Sequence, residues 1–115
     1  MTEKSYKTVK QSLSKGLAQF RAAVPDVQAG FSALHQSSMK AGALDAKTKE
    51  LIALGIGVAA RCDGCIGFHT QALIKLGVTK AELAEMLGVA VMMGGGPSLM
   101  YAGETMRAYE EFGGQ

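Results

Sequence analysis

The sequence predicts an all-α fold of about six helices that assembles into an oligomer. Three observations predict it: apolar residues recur at helical spacing, strand-like alternation is almost absent, and glycine or proline separates the helical segments. The 115 residues are expected to form a single domain, residues 1–115. Hydrophobic residues make up 48% of the chain against 19% charged residues, a ratio that favours self-association of so small a subunit.

The first two helices are predicted in the N-terminal third of the chain. An amphipathic helix over residues 5–22 is indicated by apolar residues at helical spacing, namely Val9, Leu13, Leu17 and Phe20. Pro25 fits the first position of a second helix. This helix continues through Val27, Phe31, Leu34 and Ser38 and ends near Gly42.

Capping residues mark the later helices. Asp45 is a plausible N-cap for a third helix that runs to about Ala60. Gly77 fits the position just past the end of a fourth helix, and residues 79–82 form a capping box that opens the fifth. Three glycines and a proline at residues 94–97 end that helix and start a sixth.

Two segments are apolar nearly all round, residues 51–60 and 87–93. A helix without a polar face is buried on all sides, and in a chain of this size other subunits usually provide the cover. Small residues in these segments permit close approach of helices, and the methionines are expected to fill core and interface. We therefore predict a homo-oligomer.

Cys62 and Cys65, the only two cysteines, are followed by His69. Read as helix, the three side chains fall within about 60° of one another, at roughly 100° per residue. Cysteines at this spacing can form a disulfide. Helix N–H groups and a protonated imidazole favour a thiolate. The pattern indicates a redox-active dithiol.

Three other interpretations of the cysteines remain open, and a fourth, haem attachment, is excluded. A structural disulfide closes only a two-residue loop and restricts the unfolded chain little. Zinc needs further ligands, for which only His35 and carboxylates are available. Covalent haem attachment requires histidine directly after the second cysteine, where Ile66 stands. Two inert buried thiols that happen to lie near a histidine are the third open interpretation.

Charge and composition limit the kinds of partner and cofactor that we expect. The net charge is +2 and basic residues are scattered, without a basic block interleaved with aromatics, so nucleic-acid binding is not expected. Residues 1–4 open without an apolar signal run, and no stretch resembles a membrane span, so we expect a cytoplasmic protein. No flavin, nicotinamide or haem motif is present, and no cofactor or metal is expected.

Glu50 lies twelve residues before Cys62 and has apolar neighbours. In one uninterrupted helix the two residues would be roughly 18 Å apart at ~1.5 Å per residue. A break at residues 61–64 would instead return Glu50 to the level of His69. The alternative is a solvated acid at the start of the third helix, where it complements the helix dipole.

Three runs of sequence resemble the alkylhydroperoxidase D-like branch of the carboxymuconolactone decarboxylase family: residues 42–54, 59–69 and 88–97. The likeness extends from Pro25 to Phe112 and keeps the order and spacing of Glu50, Cys62, Cys65 and His69. It implies an all-helical fold, assembly into trimers or hexamers, and a peroxiredoxin-type alkylhydroperoxidase or disulfide-exchange activity.

The resemblance also implies residue roles. Cys65 would be the peroxidatic thiol and Cys62 the resolving thiol. His69 would activate Cys65, and Glu50 would hold or exchange protons with His69. Gly64 stands where some peroxidase members carry a histidine, so a proton step by that residue is absent here.

The leading hypothesis is therefore a thiol peroxidase that reduces a small peroxide and takes electrons from an external dithiol protein. One alternative is decarboxylation of a lactone acid with His69 as proton donor, an activity that would survive loss of both cysteines. Another is a non-enzymatic dithiol redox sensor or assembly module. It would react slowly with peroxide but change structure on oxidation.

Overall fold

Six α-helices make up the computed structural model of the protein, which describes residues 4–115. They are α1 (Tyr6–Ala23), α2 (Pro25–Met39), α3 (Ala46–Ala59), α4 (Asp63–Lys75), α5 (Lys80–Gly94) and α6 (Gly96–Glu111). No strand occurs between residues 4 and 115. The all-α prediction is confirmed, and each predicted helix is present.

The capping residues that the sequence offers occupy the positions expected of them. The Asp45 carboxylate accepts the Thr48 N–H at 2.7 Å at the start of α3. Thr79 and Glu82 form the predicted capping box of α5, with reciprocal bonds of 2.8 and 3.0 Å. Pro25 is the first residue of α2. Local side-chain chemistry therefore sets these helix boundaries.

The chain reverses direction between α3 and α4 through a turn at Arg61. Arg61 adopts a left-handed backbone conformation, with φ of 58°. Its N–H donates to the Val58 carbonyl at 3.1 Å, and the Cys62 N–H donates to the Gly57 carbonyl at 2.9 Å. These two bonds form a Schellman motif, which ends α3 and lets α4 pack back against it.

The core lies between α3, α4, α5 and α6. Its buried apolar side chains come from these four helices, from the start of α1 and from the connection between α4 and α5: Tyr6, Leu54, Val58, Ile66, Leu73, Val78, Leu83, Leu87, Ala108 and Tyr109. The predicted amphipathic helix at the N-terminus is α1, but Tyr6 is its one buried residue. Leu13, Leu17 and Phe20 are exposed and α2 has no buried residue, but α1 packs against α4.

The two segments expected to be apolar all round lie in α3 and α5. In the single chain their outward side chains remain exposed, to 65% for Ile56 and 77% for Met93. Together α3 and α5 line an open apolar cavity of about 430 Å³. Burial on all sides is therefore not achieved within one chain, and the uncovered face is continuous across both helices.

We expect this face to be covered by further copies of the chain. At micromolar concentration, light scattering should give the mass of a homo-oligomer, because exposed isoleucine, valine and methionine side chains favour burial. Ile56→Asp should lower that mass, since the charge would lie in the interface. Leu76→Asp, at an exposed leucine at the end of α4, is the matched control and should not. A monomeric wild-type mass would contradict the prediction.

Gly77 ends α4 in a left-handed conformation, with φ of 78°. Gly77→Ala should lower the free energy of unfolding by about 1–2 kcal/mol, because a Cβ is disfavoured there. Gly103, exposed within α6, has open space where a Cβ would lie. Gly103→Ala should raise stability by about 0.5–1 kcal/mol. Thermal or urea unfolding of both variants tests these two predictions. Equal changes in the free energy of unfolding would contradict them.

Across residues 4–115, no helix is both long enough and apolar enough to cross a bilayer.

Candidate functional site

Cys62 and Cys65 are joined by a disulfide at the start of α4, with their Cα atoms 5.2 Å apart. Cys62 is the N-cap residue and lies outside the helix, whereas Cys65 belongs to its first turn. The Cys65 N–H donates to the Cys62 sulfur at 3.1 Å. Both residues are partly buried. The sulfur pair therefore lies at the positive end of the α4 dipole, where a thiolate is stabilised after reduction.

Gly57 of α3 allows the dithiol to lie close to that helix. A Cβ built on Gly57 would be 2.8 Å from the Cβ of Cys65, closer than side-chain carbons normally approach. The sequence suggested Gly57 only as one of several small residues that permit helix packing. In the structure Gly57 contacts Cys65 of the same chain. The absence of a side chain at Gly57 therefore allows Cys65 to pack directly against α3.

Glu50 and His69 form a direct pair between α3 and α4. His69 Nδ1 lies 2.6 Å from Glu50 Oε2, and Glu50 is only 9% exposed. Because a carboxylate accepts hydrogen bonds, Nδ1 is assigned as the donor. In the neutral ring, Nε2 is then the nitrogen that can accept a proton. Glu50 is therefore not a solvated acid at the helix start. The turn after α3 brings it to His69.

The four predicted site residues thus form two contacting pairs on one pair of helices. Cys62 bonds to Cys65, Glu50 bonds to His69, and Cys65 lies one helical turn before His69 on α4. Glu50 lies in the second turn of α3 rather than the first, since that helix begins at Ala46. The arrangement places an imidazole with a fixed carboxylate partner close to a reducible disulfide.

A polar network anchors the residue after Cys62. The Lys4 ammonium lies 2.9 Å from the Asp63 carboxylate. The buried Tyr6 hydroxyl donates to Glu104 at 3.0 Å and approaches Asp63 at 3.4 Å. Burial first, and then the bond to Glu104, raise the pKa of Tyr6 well above its usual value, so Tyr6 stays a neutral donor. The network ties the start of α4 to α1 and α6.

Gly64, between the two cysteines, faces α1. A Cβ at this position would lie 2.6 Å from Cδ1 of Leu13. A larger residue between the cysteines would therefore displace the Leu13 side chain. No pattern in the sequence indicates this contact, because the two residues are far apart along the chain and Leu13 fits a general apolar stripe.

No metal centre accompanies the dithiol in the part of the chain that the structure describes. Within residues 4–115, no three histidine, cysteine, aspartate or glutamate side chains lie close enough together to hold a metal ion. His35, which the sequence offered as a possible zinc ligand, lies on α2, a helix without buried residues.

Most of the chain matches one known protein family. The model of the carboxymuconolactone decarboxylase family matches residues 25–112, which is most of the chain. The chain belongs to this family. The family resemblance expected from residues 42–54, 59–69 and 88–97 is thereby confirmed, and α1 lies outside the matched segment.

Several relatives of this carboxymuconolactone decarboxylase family member are similar over most of their length. A family member from Legionella pneumophila, known from an apo crystal structure, is 54% identical; the likeness covers 93% of this chain and 96% of that one, with a TM-score of 0.91. An uncharacterised protein from Cupriavidus necator is 35% identical over 76% of this chain and 78% of its own. Another, encoded in the cox locus of Paracoccus denitrificans, is 29% identical over 88% and 91%.

Proposed function

We propose that the protein is a cytoplasmic, thiol-dependent hydroperoxidase of the alkylhydroperoxidase D-like branch of its family. The observation that carries the proposal is a reducible Cys62–Cys65 pair one helical turn from the Glu50–His69 pair. A dithiol alone performs disulfide exchange, whereas a positioned imidazole also supports proton transfer. The reaction needs no bound cofactor.

In the first step, Cys65 attacks the peroxide. His69 takes the proton from the Cys65 thiol, and the thiolate sulfur bonds to one peroxide oxygen while the O–O bond breaks. The leaving oxygen takes a proton and departs as water or an alcohol. Cys65 is oxidised by two electrons to a sulfenic acid. Glu50 holds the ring through Nδ1 and favours the imidazolium that forms.

In the second step, Cys62 resolves the sulfenic acid. Its thiolate attacks the Cys65 sulfur, the disulfide forms, and the hydroxyl group leaves as water after protonation. The Cα separation of 5.2 Å in the bonded pair lies within the range usual for disulfides. An external dithiol protein then reduces the disulfide by exchange, and the cycle returns to the dithiol.

Decarboxylation of a lactone acid is the second candidate function, and family membership favours it. In that reaction His69, held by Glu50, would donate a proton to the substrate carbon as carbon dioxide leaves. The cysteines would play no part. The two functions therefore differ in their dependence on the dithiol.

Peroxide consumption with dithiothreitol as the reductant separates the candidates. Wild-type protein should consume hydrogen peroxide or an organic hydroperoxide faster than dithiothreitol alone does, and the Cys62→Ser/Cys65→Ser double variant should not exceed that background. Equal consumption by both proteins would overturn the proposal. Turnover of a lactone acid by the double variant would support the decarboxylase. Absence of catalysis together with a change in mass or shape on oxidation would support a redox sensor.

A further inference from the structure

The two sulfurs of the disulfide face different surroundings. Cys62 lines an open groove of about 620 Å³ between α1 and the start of α4. The α1 side of this groove is formed by Thr8, Val9, Ser12 and Leu13. Cys65, in contrast, is packed on the other side, where its Cβ lies against Gly57 of α3. A molecule that enters from the α1 side therefore meets Cys62 before Cys65.

Helix α1 gives this approach a positive charge. The chain carries no acidic residue between Ser5 and Pro25, while α1 contains Lys7, Lys10, Lys15 and Arg21. Three of these lysines line a cavity of about 690 Å³ on the other flank of α1, with Lys7 and Lys15 exposed. Among the residues described, no aspartate or glutamate lines that cavity.

The acidic group beside the dithiol does not cancel this charge. Asp63 follows Cys62 directly, but its carboxylate is paired with the Lys4 ammonium at 2.9 Å. Lys10 is held in place by aromatic rings, with its ammonium 4.8 Å from the centre of Phe68 and 5.4 Å from that of Phe112. The helix that borders the groove lined by Cys62 therefore carries a net positive charge, of which Lys10 is held in position.

We propose that α1 is the docking surface for an acidic dithiol protein, and that this donor attacks the sulfur of Cys62. The inference rests on the proposed function, since it names the kind of electron donor that the disulfide requires. Opposite charge steers the donor to α1 and raises its rate of association. The groove beside Thr8, Val9 and Ser12 then accepts the donor segment that carries its thiol.

The exchange balances without a further reactant. A donor thiolate bonds to the Cys62 sulfur, the Cys62–Cys65 bond breaks, and the electron pair leaves on Cys65, which His69 can protonate. The second donor thiol, as thiolate, then attacks its partner sulfur in the mixed disulfide. Cys62 leaves reduced, and the donor carries away the disulfide. Two electrons pass from the donor to the protein.

The direction of attack is tested with single-cysteine variants. Cys65→Ser and Cys62→Ser are each converted to the mixed disulfide with thionitrobenzoate, which is released visibly on exchange. An acidic thioredoxin should release it at least about 10-fold faster from Cys62 than from Cys65, since attack depends on access to the sulfur. Equal release, or faster release from Cys65, would overturn the direction proposed.

The docking surface is tested by charge reversal. Lys7→Glu/Lys15→Glu should slow reduction of the disulfide by the acidic thioredoxin about 10-fold at low salt, and added salt should reduce the difference. Uncharged dithiothreitol should reduce wild type and variant equally, which also shows that the variant keeps its fold around the disulfide. Lys80→Glu, at the start of α5, is the matched control and should behave as wild type.

The outcomes separate this inference from the proposed function, because no peroxide is used. A slower thioredoxin reaction in the α1 variant alone supports the docking surface even if peroxidase activity is absent. Equal slowing in the Lys80→Glu control, or no slowing in the α1 variant, would overturn it even if the protein consumes peroxide.

Discussion

Cys65→Ser should abolish the reaction of the reduced protein with peroxide, lowering its second-order rate constant by about 10³-fold or more. The hydroxyl of serine has no thiolate to offer at neutral pH, and loss of a nucleophile commonly costs this much. The remaining thiol, Cys62, lies outside the helix and farther along the chain from His69. The rate is measured by stopped flow in the absence of any other thiol.

Cys62→Ser is the matched control for this prediction. It should retain a single round of peroxide reaction at a rate near that of wild type and stop at a Cys65 sulfenic acid, since no resolving thiol remains. A sulfenic-acid reagent followed by mass mapping identifies the oxidised residue. If Cys62→Ser is the inactive variant and Cys65→Ser forms the sulfenic acid, the roles assigned to the two cysteines are reversed.

Glu50→Gln should slow the Cys65 reaction by about 10–10²-fold while the fold and the disulfide remain intact. The carboxylate lies 2.6 Å from His69 Nδ1 and is nearly buried, so its charge acts on the imidazole with little solvent screening. Glutamine keeps the shape and a hydrogen bond but loses the charge. A group that acts through another residue costs less than the about 10²–10⁴-fold of direct acid–base assistance.

The measurement compares rate against pH from 5 to 9 for the two proteins at matched thermal stability. The Glu50→Gln profile should be lower and different in shape, because a charged partner of the imidazole has been removed. Glu85→Gln, at an exposed glutamate of α5, controls for a general change in charge. Superimposable profiles for wild type and Glu50→Gln would show that Glu50 is structural.

The sequence predicts the helices well because local chemistry sets their ends. Asp45, Thr79 and Pro25 each act within their own first turn, and no distant residue is needed to place them. The cysteine pair is likewise local, since Cys62 and Cys65 are three residues apart. These features therefore agree between sequence and structure.

The contacts that complete the site depend on how distant elements meet. Glu50 reaches His69 only because Arg61 takes a left-handed conformation and α4 folds back on α3. Spacing alone left that placement open beside a solvated one. The contact of Gly57 with Cys65 has the same origin, since it depends on how closely two helices approach.

For helix α1, the sequence predicts the helix but not its contacts. Its apolar spacing predicts an amphipathic helix correctly, but Leu17 and Phe20 remain exposed in the single chain. Tyr6, which anchors α1, is recognised only through its bonds with Glu104 and Asp63, which lie far along the sequence. Periodicity identifies the face of a helix but not what covers it.

In the proposed function, the Cys62–Cys65 dithiol itself reduces peroxide. The most direct test mixes fully reduced wild-type protein with one equivalent of peroxide in a stopped-flow instrument and measures peroxide, free thiols and disulfide together. One peroxide should disappear per chain, two thiols should be lost, and the Cys62–Cys65 disulfide should form, at a rate well above that of free cysteine. Loss of peroxide no faster than with free cysteine, or without formation of that disulfide, would contradict it.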